Sequence, residues 1–387
     1  MIRTGITDLR LHGGHAPHWL LIRMKKLASS ILKIIHEEFG SEEILRRLAN
    51  PLWFQALSCV TGMDWNSSGT TTVLCGVLKS VLNTEYKVLE AGGKGKRSLQ
   101  TLEELNEISK KFDFSEDFLS RLKYISKIIA KVDNSVVQDG YNLYIHTFFV
   151  NENGNWTIVQ QGLNTDNNMS RRYHWYSNDV TDFITEPEEE ILSQIKHQNV
   201  LDLTYQKNEE IRQTTLDLIK EKPQKTLNLL NSIQLRSELG QTTLSTYFQK
   251  GTMLPKFKYY YKLMPRRIKW KVLKKLYEFQ PQNYEEFVAT KGVGPGTIRG
   301  LSFISSVIFD KEIKFRDPVK YALAFGGKDG EPYPIFRREM DDSIKYLDSV
   351  ISDLKLEKKE KLFALKGLKK FSTYFLKIDN NNNIASI

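Results

Sequence analysis

Apolar residues near the start of the chain recur at helical spacing. Leu20, Met24, Leu27, Ile31 and Ile35 fall on one face, which predicts an amphipathic helix over 20–48. Residues 51–82 keep a helical pattern with a Gly/Ser break at Ser67–Gly69. A Gly-Lys loop, Ala91–Arg97, follows, and residues 101–131 predict two further helices rich in Lys and Glu. The period then changes. Tyr141–Val150 is dense in aromatic and β-branched residues, Asn151–Asn155 has the composition of a turn, and Trp156–Gln161 is strand-like again. Residues 141–161 therefore predict a β-hairpin. Residues 187–247 return to helix with a break at Pro223, 281–309 hold two helices, and 318–345 read as a Gly/Pro-rich loop entering a helix.

This order predicts an α+β fold. A mixed domain over 1–190, with a sheet containing the β-hairpin, precedes a helical basic connector over 191–280 and an all-helical domain over 281–387. The chain is long enough, and apolar enough at 40%, to bury sizeable cores. Its two cysteines, Cys59 and Cys75, sit in apolar surroundings and read as buried free thiols, since two cysteines build neither a disulfide framework nor a multi-cysteine zinc site. No apolar run is long enough to span a bilayer, and the opening Met1-Ile2-Arg3-Thr4 is not a signal peptide, so a soluble cytoplasmic protein is expected.

Charge changes the picture by its placement. Residues 1–200 hold 22 Lys and Arg against 24 Asp and Glu. Of the chain's 56 basic and 46 acidic residues, that leaves 34 against 22 for residues 201–387. A positive field of that kind concentrates polyanions.

Within the basic half, Asn283 with Glu286 forms a capping box, Gly292 suits a left-handed turn after the first helix, and Val293 is the one apolar residue able to plug that turn. Gly294 and Gly296 bracket Pro295, and Ile298, Leu301, Ile304 and Ile308 form a single stripe. This pattern resembles the helix-hairpin-helix family, whose hairpin reads Gly-Val-Gly-Pro/Arg-x-Thr. The resemblance implies contact with DNA phosphate through Gly292, Gly294, Gly296 and Thr297, with Lys291 and Arg299 adding charge at the edges, and largely sequence-independent binding. Upstream, Lys256–Lys262 and Arg266-Arg267-Ile268-Lys269-Trp270-Lys271 interleave cations with aromatic rings. That suits a single strand, and equally an amphipathic helix with aromatics in the core.

A wider resemblance rests on Thr4-Gly5-Ile6 with Leu11–Gly14, Phe54-Gln55-Ala56-Leu57, Asp64–Gly69, Gly92–Lys96, Lys131-Val132-Asp133-Asn134, Gln138–Tyr141, His146–Phe149, Val159–Gly162, Arg171–Trp175, Gly292–Arg299, Arg316-Asp317-Pro318 and Gly326–Gly330. Together these resemble a family known as a domain of unknown function, number seven-sixty-three, found in archaea and bacteria. It implies no established activity. His12, His15 and His18 stand three apart, but the resemblance favours a phosphate-facing loop there over a zinc site.

The candidate chemistry lies in two places. With a five-residue turn, Val150 faces Trp156, His146 faces Gln160 and Asn142 faces Asn164, on one face with Tyr144, Phe148 and Ile158. Asp139 stands just before this hairpin, and Arg171, Arg172 and His174 follow it. An acidic residue before a hairpin resembles restriction-like nucleases. Asp139 and Gln160 would hold Mg²⁺ or Mn²⁺, with Asp133 and Asp64 as further carboxylates that the fold could bring in, and His146 would serve as base, although no Lys follows Gln160. Lys94 and Lys96, in the Gly-Lys loop, and Arg171, Arg172, Arg266 and Arg267 are further candidate contacts to nucleic acid. In the C-terminal half, Asp317 lies 23 residues after Gly294, where a helix-hairpin-helix glycosylase carries its catalytic carboxylate; no lysine stands at the start of the second helix, which excludes lyase chemistry by that route. Three readings follow: a metal-dependent DNA nuclease in repair or processing, a glycosylase without lyase activity, and a non-catalytic DNA-binding adaptor.

Overall fold

A computed structural model of the chain describes residues 16–63, 68–166, 168–186, 190–192, 200–238 and 264–318. Within them the fold is α+β, with eleven helices and a small antiparallel sheet. Helix α1 (His18–Phe39) buries Met24, Leu27, Ala28, Ile31, Leu32 and Ile35. The single helix expected over 20–48 is two, because Gly40, at φ +84°, ends α1 and α2 (Ser41–Ala49) starts directly after it. α3 (Pro51–Val60) is capped by Asn50, whose side chain accepts from the Trp53 N–H at 2.9 Å, with Pro51 in the first turn. α4 (Gly69–Val81) completes this layer.

The sheet runs β1 (Val88–Lys94), β3 (Asn142–Asn151), β4 (Trp156–Asn164), β5 (Met169–Tyr176) and β6 (Glu190–Leu192) in spatial order, each pair antiparallel. A two-residue ladder joins β2 (Val137–Gln138) to β7 (Leu201–Asp202). The expected hairpin is present, with Val150 opposite Trp156 and His146 opposite Gln160. Toward its open end the register differs from expectation. The pairing shifts between Leu143 and Ile145, so Asn142 faces Leu163 rather than Asn164. An extra residue in one strand inverts every side chain beyond it. Tyr144 accordingly bonds Gln161 and leaves the face of His146 and Phe148.

The Gly-Lys loop is likewise shorter than expected. Ala91–Lys94 finish β1, and the chain bends only from Gly95. Gly92, at φ +90°, permits this, since a Cβ there would stand 2.2 Å from the His146 carbonyl oxygen.

Both faces of the sheet are covered. On one face Val88, Phe149, Val159 and Tyr176 pack with α1–α4. On the other, Ala91, Phe148, Val150, Ile158 and Trp175 pack against α5 (Thr101–Phe112) and α6 (Glu116–Lys131). That core continues without interruption into α7 (Glu209–Lys220), α8 (Pro223–Glu238), α9 (Trp270–Phe279), α10 (Tyr284–Ala289) and α11 (Pro295–Phe309).

Between α10 and α11 the chain turns within five residues. Asn283 caps α10, its side chain accepting from the Glu286 N–H at 2.9 Å, and Glu286 reaches back to the Gln282 N–H at 2.9 Å. Gly292 takes φ +102°, and Val293 is buried in the core. Ile298, Leu301 and Ile304 form the buried stripe of α11.

Candidate functional site

Asp139 and Asp317, expected at two different sites, meet on one arginine. Arg171 projects from β5 and is fully buried. Its Nη1 donates to Asp139 Oδ2 at 2.8 Å and to Asp317 Oδ1 at 2.9 Å, and its Nη2 donates to Asp317 Oδ2 at 2.9 Å. Asp139 also accepts from the Tyr173 hydroxyl at 2.8 Å and from the Tyr141 N–H at 3.1 Å. The Arg171 guanidinium lies over the Tyr141 ring. Burial pushes the Asp139 carboxyl up, while Arg171 pulls it the other way. For Arg171, burial acts to lower it, but the two carboxylates outweigh that and hold it raised.

His146 and Gln160 form a second chain on the same face. Gln160 Nε2 donates to Asp133 Oδ2, which also accepts from Trp175 Nε1 at 3.0 Å. With the amide in that orientation, Gln160 Oε1 accepts from His146 Nδ1 at 2.7 Å. Ser126 Oγ then donates to His146 Nε2 at 2.8 Å. Burial lowers the His146 pKa, which keeps the ring neutral. Both ring nitrogens are engaged, as are the amide groups of Gln160. Among the described residues, no group of three or more His, Cys, Asp or Glu side chains could hold a metal ion. Asp64, like His12 and His15, lies outside them.

Arg172 and His174 point to the other face and are also fully buried. Arg172 donates to Gln55 Oε1 at 3.2 Å, Thr71 Oγ1 at 3.3 Å and the Pro51 carbonyl at 3.4 Å, and its guanidinium covers the Phe54 ring. These partners are neutral, and burial pushes Arg172 down to about 9. His174 Nδ1 donates to the Leu48 carbonyl at 3.0 Å. Cys59 and Cys75 are buried thiols outside any disulfide, and burial pushes the Cys75 thiol up. Neither Arg171 nor Arg172, both expected on nucleic acid, reaches the surface.

Most of the other expected contacts lie near or at the surface. Lys291, Gly292 and Pro295 are exposed at the turn, Gly294, Gly296 and Arg299 are partly exposed, and Thr297 is buried. A Cβ on Gly294 would meet nothing, so the entry to α11 is open. The first N–H groups of a helix have no partners within it. The segment before and into α9 packs beside this entry: the nearest atom to a Cβ on Gly296 would be Pro265 Cβ at 4.0 Å, and on Gly292 it would be Val272 Cγ2 at 2.9 Å. That packing sets exposed Arg266, Arg267, Lys269, Trp270 and Lys271 next to the turn. Arg299 donates to Gln138 Oε1 at 3.1 Å, and Gln138 Nε2 donates to the Pro295 carbonyl at 3.0 Å. Gln138 leads into β3, whose Ile145 pairs with Lys94, so exposed Lys94 and Lys96 lie at the same end of the sheet as the turn.

Under the turn lies Lys131, the last residue of α6. Its Nζ donates to three carbonyls: Val288 at 2.6 Å, Thr290 at 2.8 Å and Val293 at 3.3 Å. Burial, and then the charge of Lys275, push it down to about 8.

The family model described as "Protein of unknown function (DUF763)" matches residues 5–335. The chain belongs to this family. No curated protein and no solved structure matches it. The matched span takes in the whole buried polar network, the turn between α10 and α11, and Lys131.

Sequence reasoning missed Tyr173, Ser126, Trp175 and Lys131. Strand β5 is buried on both faces, so it shows no alternation of polar and apolar residues. Its signal was a spacing of two, with Arg171, Tyr173 and Trp175 sharing one face. Lys131 stands in one of the stretches that carry the family resemblance, but nothing local marked its contacts, because its partners lie 157–162 positions away.

Proposed function

We propose that this chain is a DNA-binding protein that grips the phosphate backbone at a helix-hairpin-helix formed by α10 and α11, with Arg266, Arg267, Lys269 and Lys271 alongside. The observation that carries this reading is the open entry to α11, where Gly294 and Gly296 leave the backbone accessible and the exposed cations of 266–271 are packed beside it. Contacts of this kind position a backbone without reading bases, so binding is sequence-independent. Trp270, exposed between those cations, offers a ring on which an unpaired base can stack.

Of the three functional readings, the adaptor fits the buried groups best. A nuclease needs Asp139 and Gln160 open to a metal and water, and a glycosylase needs Asp317 in a pocket facing the hairpin. Instead, Asp139 and Asp317 share Arg171, and Gln160 is spent between His146 and Asp133. This network serves as polar scaffolding under the DNA-binding edge.

The test is fluorescence anisotropy with labelled double-stranded DNA, single-stranded DNA and RNA over a salt series. The triple variant Arg266→Ala/Arg267→Ala/Lys291→Ala is expected to bind all DNA sequences more weakly by a common factor. Its log–log salt slope should be shallower by about 2–3. Absence of binding to DNA at low salt would sink the reading, and tighter binding to RNA would change the partner. The same mixtures held with Mg²⁺ or Mn²⁺ test catalysis; strand breaks that vanish in Asp139→Asn would reinstate the nuclease.

A further inference from the structure

Leu99 is the most exposed large hydrophobic among the described residues, at 81%. It belongs to the 3₁₀ turn Gly95–Gln100, which follows β1 at an edge of the sheet. Single apolar residues on a surface are common and need no function. This one differs in its support and in its neighbours. The turn is pinned at its base. Ser98 Oγ donates to the Gly95 carbonyl at 2.6 Å, and the buried Thr101 Oγ1 donates to the Ser98 carbonyl at 2.7 Å. Just before the turn, Glu104 Oε2 accepts from the Gly92 N–H at 2.6 Å and from Lys79 Nζ at 2.7 Å, and Lys79 Nζ also donates to the Gly92 carbonyl at 2.6 Å. The leucine is therefore held in water on a fixed platform.

Its neighbours are cations. Residues 94–100 read Lys-Gly-Lys-Arg-Ser-Leu-Gln, without an acidic residue, and Lys94, Lys96 and Arg97 are all exposed. Side chains three apart in a 3₁₀ turn eclipse, so Lys96 and Leu99 project on the same side. An apolar tip among positive charges fits a partner with anions outside and an apolar stack within. Duplex DNA has that structure. An anionic membrane also pairs charge with an apolar interior, but even a whole acyl chain anchors a protein only marginally, and one leucine is smaller. The position favours DNA as well. Lys94 pairs with Ile145 near the start of β3, and α6 ends at Lys131 under the turn between α10 and α11. Leu99 and that turn thus share one end of the sheet.

We infer that Leu99 is a wedge for duplex DNA. Lys94, Lys96 and Arg97 lie along the phosphates of the minor groove, and the leucine enters between two base pairs, unstacks them and kinks the helix. The inference rests on the DNA-binding reading and gives it a second contact. The hairpin holds the backbone, while the wedge senses how readily a base step opens. A mismatched step opens at lower cost, so DNA is chosen by deformability rather than by base identity.

The test uses the full chain and a duplex with a donor dye at one end and an acceptor at the other, so that kinking raises energy transfer. A matched duplex is compared with one carrying a single mismatch. Wild type should raise energy transfer on both and bind the mismatched duplex about fivefold more tightly. Leu99→Ala should fold as wild type, since the side chain packs on nothing that its exposure would not already leave open. It should bind the matched duplex within about twofold of wild type, lose the rise in energy transfer, and show a binding ratio of about one. Leu99→Met, which keeps an apolar tip, should restore both signals. Lys96→Ala/Arg97→Ala should make the log–log salt slope shallower by about 2.

A wild type that binds duplex without kinking it, or a Leu99→Ala that kinks it as well as wild type, overturns the wedge and leaves the hairpin reading standing. A wild type that binds no duplex overturns both. Vesicles of anionic phospholipid form the last arm: binding to them that Leu99→Ala abolishes, with DNA binding unchanged in every respect, assigns the tip to a membrane and overturns the wedge.

Discussion

Arg171 and Arg172 are adjacent in sequence, lie on opposite faces of β5, and are both fully buried, but their charges are handled differently. On the face toward α6, Arg171 meets two carboxylates, one from before the hairpin and one from beyond α11. On the face toward α3 and α4, Arg172 meets an amide, a hydroxyl, a carbonyl and an aromatic ring. That second face also holds Glu90, whose carboxyl has neither oxygen hydrogen-bonded. The difference shows what each charge is for. Arg171 joins segments that are remote in sequence, and its deletion strands two anions. Arg172 lines a polar layer, and its deletion strands only neutral groups.

The largest expected effect comes from breaking the matched face. Arg171→Met should cost about 3–5 kcal/mol in chemical denaturation, the usual result of leaving buried charges without a partner. The loss should be greater at neutral than at acid pH. Without Arg171, the rise that burial imposes on Asp139 is opposed only by the hydrogen bonds from Tyr141 and Tyr173, and a carboxyl raised in the folded state costs stability as pH climbs above its unfolded range. A loss below about 1 kcal/mol would mean that Asp139 and Asp317 have other compensation.

Arg172→Met should cost about 1–2 kcal/mol, the scale of hydrogen bonds lost to neutral groups, partly offset by removing a buried charge. Measured beside Arg171→Met, it asks whether the contrast is real. If the two variants lose the same stability, the faces do not differ as described.

The smallest effect is one of slope. Burial holds Glu90 well above the usual carboxylate range, with Lys79 acting in the opposite direction and Glu104 adding to the rise. The unfolded chain releases that proton first, so wild-type stability should decline as pH rises from the ordinary carboxylate range toward the folded pKa. Glu90→Gln should flatten this decline and be at least as stable as wild type at neutral pH. A steeper decline in the variant would show that Glu90 is charged and paired when folded.

What was legible in the sequence follows the same division. The hairpin over 141–161 and the turn at Gly292 were readable because each depends on local signals: alternation around a polar turn, and a glycine where φ must be positive. The pairing of His146 with Gln160 followed from them. Tyr144 did not, because a bulge shifts register without marking the residue it turns over. Strand β5 was hidden by burial on both faces. The split between α1 and α2 was hidden because the apolar spacing continues across Gly40. Asp139 and Asp317 could each be singled out as unusual, but not joined. Their common partner is set by the path of the chain through α7 to α11, and no motif encodes that path.

The Arg171–Asp317 contact has a consequence for synthesis. The two residues are 146 positions apart, and the segment between Lys314 and Asp317 is also tied back to Asn208, Val200 and Asp202. On a ribosome adding about 5–20 residues per second, β5 emerges about 7–30 s before the carboxylate that completes its charge balance. During that interval the sheet carries an arginine with half its anions missing, which disfavours closing the core around it. The chain should therefore stay open to chaperones until the segment after α11 has left the tunnel.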